Sequence, residues 1–108
     1  MSTRRRLWLA IILILPICGA DAQARAETIR VTIDRLTFSP AVITATVGDT
    51  IEWINKDPIA HTATVKGAWE VMVPAKKTVT QQLNQAEAVD FYCRFHPNMK
   101  GRLTVESD

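Results

Sequence analysis

The chain has 108 residues, 47% of them hydrophobic, and a formal net charge of +2. The positive charge comes from the first residues: beyond residue 26, nine basic and ten acidic side chains remain, a formal net charge of −1. Nucleic-acid binding requires clustered positive charge in the folded part, so we expect no nucleic-acid partner.

Residues 1–26 predict a secretory signal peptide. Arg4, Arg5 and Arg6 precede an apolar run over residues 7–18, and small residues follow it. The run is shorter than the roughly 20 residues of a membrane-spanning helix, so we expect no stable membrane insertion. Cleavage is expected after Ala26, or else after Ala24, with export to the periplasm.

Two other export signals match less well. A lipoprotein signal needs a small residue before its cysteine, and Ile17 precedes Cys18. Thr3 and the arginines after it resemble a twin-arginine signal, but the strongly apolar run behind them favours the general export route. The mature chain, residues 27–108, then forms one small domain, to whose stability a bound metal would add.

Signal cleavage would remove Cys18 and leave Cys93 as the single cysteine of the mature chain. Exported proteins ordinarily use cysteines in disulfides, but a single cysteine cannot form one within its own chain. Cys93 is therefore a buried inert thiol, an intermolecular bridge, a nucleophile or a metal ligand.

The mature chain reads as a series of short strands without a long helix. Apolar and polar residues alternate, and turn-forming residues interrupt the pattern, for example at Gly48. The segment 78–83 is mostly polar and suits a sheet edge. The predicted strands cover residues 28–34, 42–47, 50–55, 61–65, 69–73, 78–83, 89–93 and 103–105, and the segment 36–40 leads into the second of them. This pattern predicts an all-β fold, a Greek-key antiparallel β-sandwich of about seven short strands.

Three residues with polar or metal-binding side chains stand at the ends of predicted strands. Asn55 ends one strand, His61 begins the next, and Cys93 ends a late strand. The alternation places all three on the inward face. We therefore expect them to meet at one end of the sandwich.

Cys93, His96 and Met99 follow one another at intervals of three, and His61 is the only other histidine of the chain. Thiolate and thioether ligands favour a soft metal, and imidazole suits several transition metals, so the set points to copper. Two imidazoles, one thiolate and a weak thioether are typical of blue copper electron-transfer sites. The alternative is three unrelated residues: a buried cysteine, a surface histidine and a core methionine.

Beyond these residues, the segments 38–40, 47–57 and 61–62 and the motif at 93–99 resemble the cupredoxins, the plastocyanin- and amicyanin-like blue copper proteins. The short ligand loop is most similar in its spacing to amicyanin. The resemblance implies one copper ion (Cu²⁺/Cu⁺) with His61, Cys93 and His96 as equatorial ligands and Met99 as the axial ligand. It implies no catalytic residues and no other cofactor.

The resemblance also implies roles around the metal. An asparagine such as Asn55 would tie the two ligand-bearing segments together, and the backbone N–H of Thr62 would lie near the thiolate. The chain differs from amicyanin where Arg94 and Phe95 replace a Thr-Pro pair, where Thr62 replaces an asparagine and where Asn98 replaces an aromatic residue.

The function implied is a soluble, monomeric one-electron carrier rather than an enzyme. Its partners would be redox proteins, with a donor dehydrogenase and an acceptor cytochrome as candidates. They would dock near the apolar residues beside the ligands, Pro58, Ile59, Phe95 and Pro97. The alternative is a periplasmic copper-binding protein for copper storage or delivery.

Overall fold

The computed structural model describes residues 10–12, 14 and 26–108. Most of the predicted signal peptide, residues 1–26, lies outside these described residues. The nine strands are β1 (Thr28–Asp34), β2 (Thr37–Ser39), β3 (Val42–Thr46), β4 (Thr50–Asn55), β5 (His61–Val65), β6 (Trp69–Val73), β7 (Thr78–Gln82), β8 (Glu87–Tyr92) and β9 (Lys100–Glu106).

The strands form a sandwich of two sheets, one in the order β2-β1-β4-β7 and the other in the order β3-β9-β8-β5-β6. The predicted all-β sandwich is confirmed, and the polar strand β7 lies at an edge as expected. In the described part of the chain, no helix is long and apolar enough to span a membrane.

The sandwich differs from the prediction in two details. It has nine strands rather than about seven, because β2 spans only three residues and its pattern is too short to read as a separate strand. Its sheets are also mixed rather than purely antiparallel: β1 pairs in parallel with β4, and β3 with β9. The chain enters the second sheet at β3 and returns at β4, and this crossover brings β4 beside β1 in the same direction.

The core between the sheets is built around three aromatic rings. Phe38, Trp53 and Phe91 are at most 2% exposed and pack edge to face, with ring centroids 4.9–5.9 Å apart. Such edge contacts add to the hydrophobic gain of burying the rings. The Trp53 indole N–H donates to Gln81 Oε1 at 3.0 Å, which satisfies the one polar group of the cluster. The prediction that Trp53 and Phe91 are core residues is confirmed.

Strand β9 makes room for this cluster at Gly101, which pairs with Phe91 across β8 and β9. A Cβ atom at position 101 would overlap the Phe91 ring. The absence of a side chain at position 101 therefore allows the Phe91 ring to pack directly against the backbone of β9.

Strand β5 is buried along its whole length, on both faces. Alternation predicted that Thr62 and Thr64 would lie on the outer face, but both are buried, Thr62 completely. Strand β5 is an inner strand of its sheet, between β8 and β6. The two hydroxyls hydrogen-bond to each other and to Glu70 of β6, so they need no contact with water. Both faces of the strand that begins with His61 are thus packed.

Candidate metal centre

Three of the four predicted ligands, His61, Cys93 and His96, come together at one end of the sandwich. His61 is the first residue of β5, and Cys93 directly follows β8; both are completely buried. The Cys93 Sγ atom lies 3.7 Å from His61 Nδ1 and 3.9 Å from His96 Nδ1. One ligand atom from each of the three residues falls within 4.8 Å of the others.

These separations fit a shared metal ion. A first-row metal bound at about 2.0–2.3 Å to nitrogen and sulfur donors holds neighbouring donors just under 4 Å apart. The Sγ–Nδ1 separations of 3.7 and 3.9 Å lie in this range. The donor set of one thiolate and two imidazoles therefore needs little rearrangement to hold one ion.

Three backbone hydrogen bonds fold the 93–99 loop. The His96 N–H donates to Cys93 O at 3.1 Å, and the Met99 N–H donates to His96 O at 2.8 Å, which makes two successive turns. The Cys93 N–H then donates to Met99 O at 3.0 Å and closes the loop. Met99 is 3% exposed. The loop thus brings the methionine back beside the cysteine and buries it.

A backbone amide approaches the thiolate position. The Thr62 N–H donates to Cys93 Sγ at 3.4 Å, as the resemblance implied. A hydrogen bond to the charged form of a thiol stabilises that form. Cysteine binds a metal as the thiolate, so the Thr62 N–H would donate a hydrogen bond to the sulfur of a metal-bound Cys93.

A buried carboxylate lies behind His61. The His61 Nε2 atom is 2.8 Å from Asp57 Oδ2. An ionised carboxylate only accepts hydrogen bonds, so Nε2 carries the proton and Nδ1 keeps its lone pair on the side of Cys93. Sequence reasoning did not identify Asp57; the only signal was an acidic residue between Asn55 and His61.

Asp57 also holds the turn between β1 and β2. Its carboxylate accepts the Arg35 N–H at 2.7 Å and the Leu36 N–H at 3.0 Å. Burial by itself would raise the pKa of Asp57, but these two amides and His61 outweigh it and hold the pKa below its ordinary value of 3.8. Asp57 therefore remains ionised at neutral pH.

The turn that Asp57 holds has an unusual backbone. Arg35 (φ 52°) and Leu36 (φ 60°) are both left-handed although neither is glycine. Such a conformation costs on the order of 1–3 kcal/mol per residue and persists where the surroundings enforce it. The side chain of Leu36, in a residue that is 47% exposed, lines a surface depression together with Phe95, His96 and Met99.

Asn55 ties down the other side of the His61 segment. Its Nδ2 atom donates to Ile59 O at 2.9 Å and lies 3.1–3.2 Å from the carbonyls of Val73 and Pro74. Its Oδ1 accepts the Asp57 N–H at 2.9 Å. The expectation that Asn55 bridges to the segment carrying Cys93 is wrong: its hydrogen bonds within the described residues stay between the β4–β5 and β6–β7 loops, because its side chain points toward the end of β6.

A closed ring of hydrogen bonds joins Arg94, beside the cysteine, to β5 and β6. The Arg94 N–H donates to Thr62 Oγ1, which lies 2.8 Å from Thr64 Oγ1; Thr64 donates to Glu70 at 2.8 Å. The Arg94 guanidinium binds the same carboxylate through two nitrogens, at 2.8 and 3.1 Å. Since the carboxylate only accepts, every hydroxyl proton in the ring has a defined direction.

The apolar residues predicted to form a docking patch surround this end. Ile59 and Phe95 are 44% and 45% exposed, and Pro58 and Pro97 are also exposed. The Arg94 guanidinium lies 4.8 Å from the centre of the Phe95 ring. Their role in docking stays a prediction.

The chain is similar to known copper proteins. The cupredoxin-like domain family matches residues 7–105. Amicyanin of Paracoccus versutus is 26% identical over 98 residues, covering 84% of this chain and 73% of that protein. Amicyanin of Paracoccus denitrificans is 27% identical over 97 residues, covering 81% and 72%.

Solved structures agree with this similarity. The Cu(I) form of a methionine-to-alanine variant of amicyanin matches with a TM-score of 0.64 at 26% identity, covering 79% of this chain and 88% of that chain. The reduced state of a proline-to-phenylalanine variant of amicyanin matches with a TM-score of 0.62 at 28% identity, covering 73% and 82%. The chain therefore belongs to the cupredoxin-like domain family, is similar to amicyanin, and has copper as its cofactor.

Proposed function

We propose that this protein is an exported type 1 copper protein that carries single electrons between redox partners. The observation that carries the proposal is the cluster of His61 Nδ1, Cys93 Sγ and a nitrogen of His96 within 4.8 Å of one another. In this proposal the three residues would hold the copper ion and Met99 would be a weak fourth ligand, which is the donor set of a blue copper site.

The donor set supports electron transfer rather than catalysis on a substrate. Catalytic metal sites keep a coordination position open, whereas four protein ligands occupy the coordination shell. When bound, copper supplies a one-electron couple between Cu²⁺ and Cu⁺. The protein is accordingly a carrier and not an enzyme.

The chain's own residues hold the donors in place. Asp57 fixes the proton on His61 Nε2, and the Thr62 N–H donates a hydrogen bond to the sulfur of Cys93. The backbone turns of the 93–99 loop fix His96 and Met99 relative to Cys93. Donors held this firmly need to move little when the charge of the ion changes.

Export and processing belong to the same proposal. The arginines and apolar run before residue 26 support a cleaved signal peptide and a periplasmic location. Expression of the full chain with export, followed by mass spectrometry of the purified protein, measures the mature terminus. We expect a chain starting at Glu27; an uncleaved chain would contradict this part of the proposal.

The central test adds Cu²⁺ to the purified, exported protein. An intense thiolate-to-copper absorption band in the visible range and a reversible one-electron wave in voltammetry are the expected results. A colourless complex that releases its copper to a mild chelator would favour copper storage or delivery instead. Absence of stable copper binding would overturn both functions.

A further inference from the structure

The charges of this protein are divided between the two ends of the sandwich. We call the end with His61 and Cys93 the ligand end. Backbone hydrogen bonds place the loops after β4 and β6 there: the Asn55 N–H donates to Lys77 O, and the Lys76 N–H donates to Asp57 O. The first residue of β9, Lys100, pairs with Tyr92 beside the 93–99 loop.

Basic side chains predominate at the ligand end. Its charged residues are Arg35, Lys56, Lys76, Lys77, Arg94 and Lys100, against Asp34 and Asp57. The formal charge is +4, or +3 when Arg94 is left out because Glu70 pairs with it. The opposite end carries the reverse balance, with Lys66 against Glu27, Asp49, Glu87, Glu106 and Asp108, a formal charge of −4.

Five of the six basic residues at the ligand end form no salt bridge within the described residues. The salt bridges among the described residues join Arg30 to Glu52, His61 to Asp57, Arg94 to Glu70 and Arg102 to Asp90. Arg35, Lys56, Lys76, Lys77 and Lys100 take part in none of these pairs, and all five are exposed. Their charge is therefore not neutralised within the described chain.

The ligand end carries exposed apolar residues as well as basic ones. Leu36 and Phe95 line one surface depression with the partly exposed His96, and Ile59 is exposed in the loop before His61; the three apolar residues are 44–47% exposed. An apolar centre with a charged rim is the usual composition of a transient protein interface. Charges on such a rim act mainly on the rate of association and on the choice of partner.

We infer that the ligand end is a docking face for a redox protein with an acidic surface around its own electron-transfer site. The inference rests on the proposed electron-carrier function and names the chemistry of the partner. The opposite, acidic end strengthens the effect, because a molecule with charge separated between its ends turns its basic end toward a negative surface. Docking in this orientation places His96 nearest the partner.

The test compares two charge reversals of equal size at opposite ends. Lys77→Glu changes the ligand end, and Lys66→Glu changes the far end; both lysines are exposed and neither lies in the metal site. The probe is oxidation of the Cu(I) protein by hexacyanoferrate(III), a small anion, followed by stopped flow. At an ionic strength of about 10 mM, charges act over about 30 Å, and at 1 M over only about 3 Å.

We expect Lys77→Glu to slow the oxidation about three- to ten-fold at low salt, and Lys66→Glu to change it by less than about two-fold. The difference should disappear near 1 M salt. Equal slowing in the two variants would show that only net charge matters and would overturn the inference. A protein that fails to exchange electrons with the probe at any salt concentration would instead contradict the carrier function itself.

A second measurement does not depend on bound copper. Hexacyanochromate(III), a redox-inert paramagnetic anion, is titrated into the copper-free protein, and the broadening of backbone amide signals is recorded. Broadening centred on Lys56, Lys76 and Lys77 is expected. Uniform broadening, or broadening near Lys66, would contradict a local basic face.

An anionic membrane is the other surface that a basic face could meet. Copper-loaded protein is therefore sedimented with vesicles of phosphatidylglycerol and phosphatidylcholine at about 0.1 M salt, where charges still act over about 10 Å. We expect the protein to stay in the supernatant. Sedimentation that Lys77→Glu abolishes and Lys66→Glu preserves would assign the face to lipid and overturn the acidic-protein inference.

Discussion

The two segments that supply the candidate ligands are fixed in different ways. His61 begins a strand buried on both faces, and side chains hold it: Asp57 behind its ring and Asn55 beside its loop. The 93–99 loop supplies the remaining candidates, and its own backbone turns hold it. His61 is completely buried, whereas His96 is partly exposed.

Because they are fixed differently, the two segments have different roles at the site. The His61 segment depends on particular side chains, because a buried carboxylate and amide must keep their partners. The loop depends on backbone bonds, so exposed positions such as Phe95 and Asn98 can vary without loss of the turns. The first segment therefore sets the geometry, and the second presents one ligand to the outside.

Replacing Cys93 by serine tests the loop most severely. A hydroxyl is a hard, weakly donating ligand, so the Cys93→Ser variant should lose the intense visible band completely. Absorption spectroscopy after addition of Cu²⁺ measures this loss, and circular dichroism of the copper-free variant checks that it still folds. A folded variant that keeps the band would rule out Cys93 as the copper ligand.

The matching change in the other segment is Asp57→Asn. Asparagine keeps one acceptor oxygen and no charge, so its amide nitrogen leaves without an acceptor either the Arg35 N–H or the Leu36 N–H together with the His61 Nε2 proton. Loss of such an outer partner typically lowers metal affinity 10- to 100-fold, and a buried unsatisfied donor costs about 1–3 kcal/mol. Competition with a chelator measures the affinity, and urea unfolding measures the stability.

Asp90→Asn is the matched control, because its carboxylate is 81% exposed in a surface ion pair. It should leave copper affinity unchanged. If Asp57→Asn also leaves it unchanged, side-chain support of His61 is not what fixes that ligand.

The difference between the segments also explains what the sequence predicted. Alternation along each strand was sufficient to place His61 and Cys93 inward at strand ends, since it follows from the geometry of one strand. It did not identify Asp57, whose role depends on the β1–β2 turn, 21–22 residues away in sequence. Such a contact depends on the packing of the two sheets.

The burial of Thr62 and Thr64 has the same origin. Read alone, their strand has an outer face, but the position of β5 inside the sheet depends on which strands lie beside it. The parallel pairing of β1 with β4 was missed for this reason as well. The candidate ligand set could be predicted, because the spacing of Cys93, His96 and Met99 lies within one short stretch of sequence.

Met99→Leu changes the loop more gently. Leucine fills the same buried space without a sulfur atom, so three strong donors remain. We expect copper to stay bound and the reduction potential to rise, since loss of an axial donor destabilises Cu²⁺ more than Cu⁺. Voltammetry of the variant beside the unmodified protein measures the change; an unchanged potential would show that Met99 is not coordinated.

The smallest effect is expected where the two segments meet, in the ring of Arg94, Thr62, Thr64 and Glu70. The hydrogen bonds from Arg94, and then the one from Thr64, hold the pKa of Glu70 below its ordinary value of 4.5. A carboxyl with a lower pKa in the folded state stabilises the fold above its unfolded pKa, and this stabilisation is lost as the pH falls through the folded value. Glu70→Gln should therefore lower the free energy of unfolding at pH 7, and the difference from the unmodified protein should shrink as the pH falls below about 4.5. Urea unfolding of the copper-free proteins between about pH 7 and pH 3 measures this dependence across the carboxyl range.

Glu52→Gln is the control, because it removes the same charge from an ion pair with Arg30 that has one contact of 3.1 Å and no part in the ring. Glu70→Gln should have the larger effect at pH 7, since the amide has one acceptor oxygen and no charge for the three hydrogen bonds that Glu70 accepts from β5 and the ligand loop. If the two variants behave alike, or if the Glu70 difference is the same at every pH, the ring does not join the loop to the buried strand in solution.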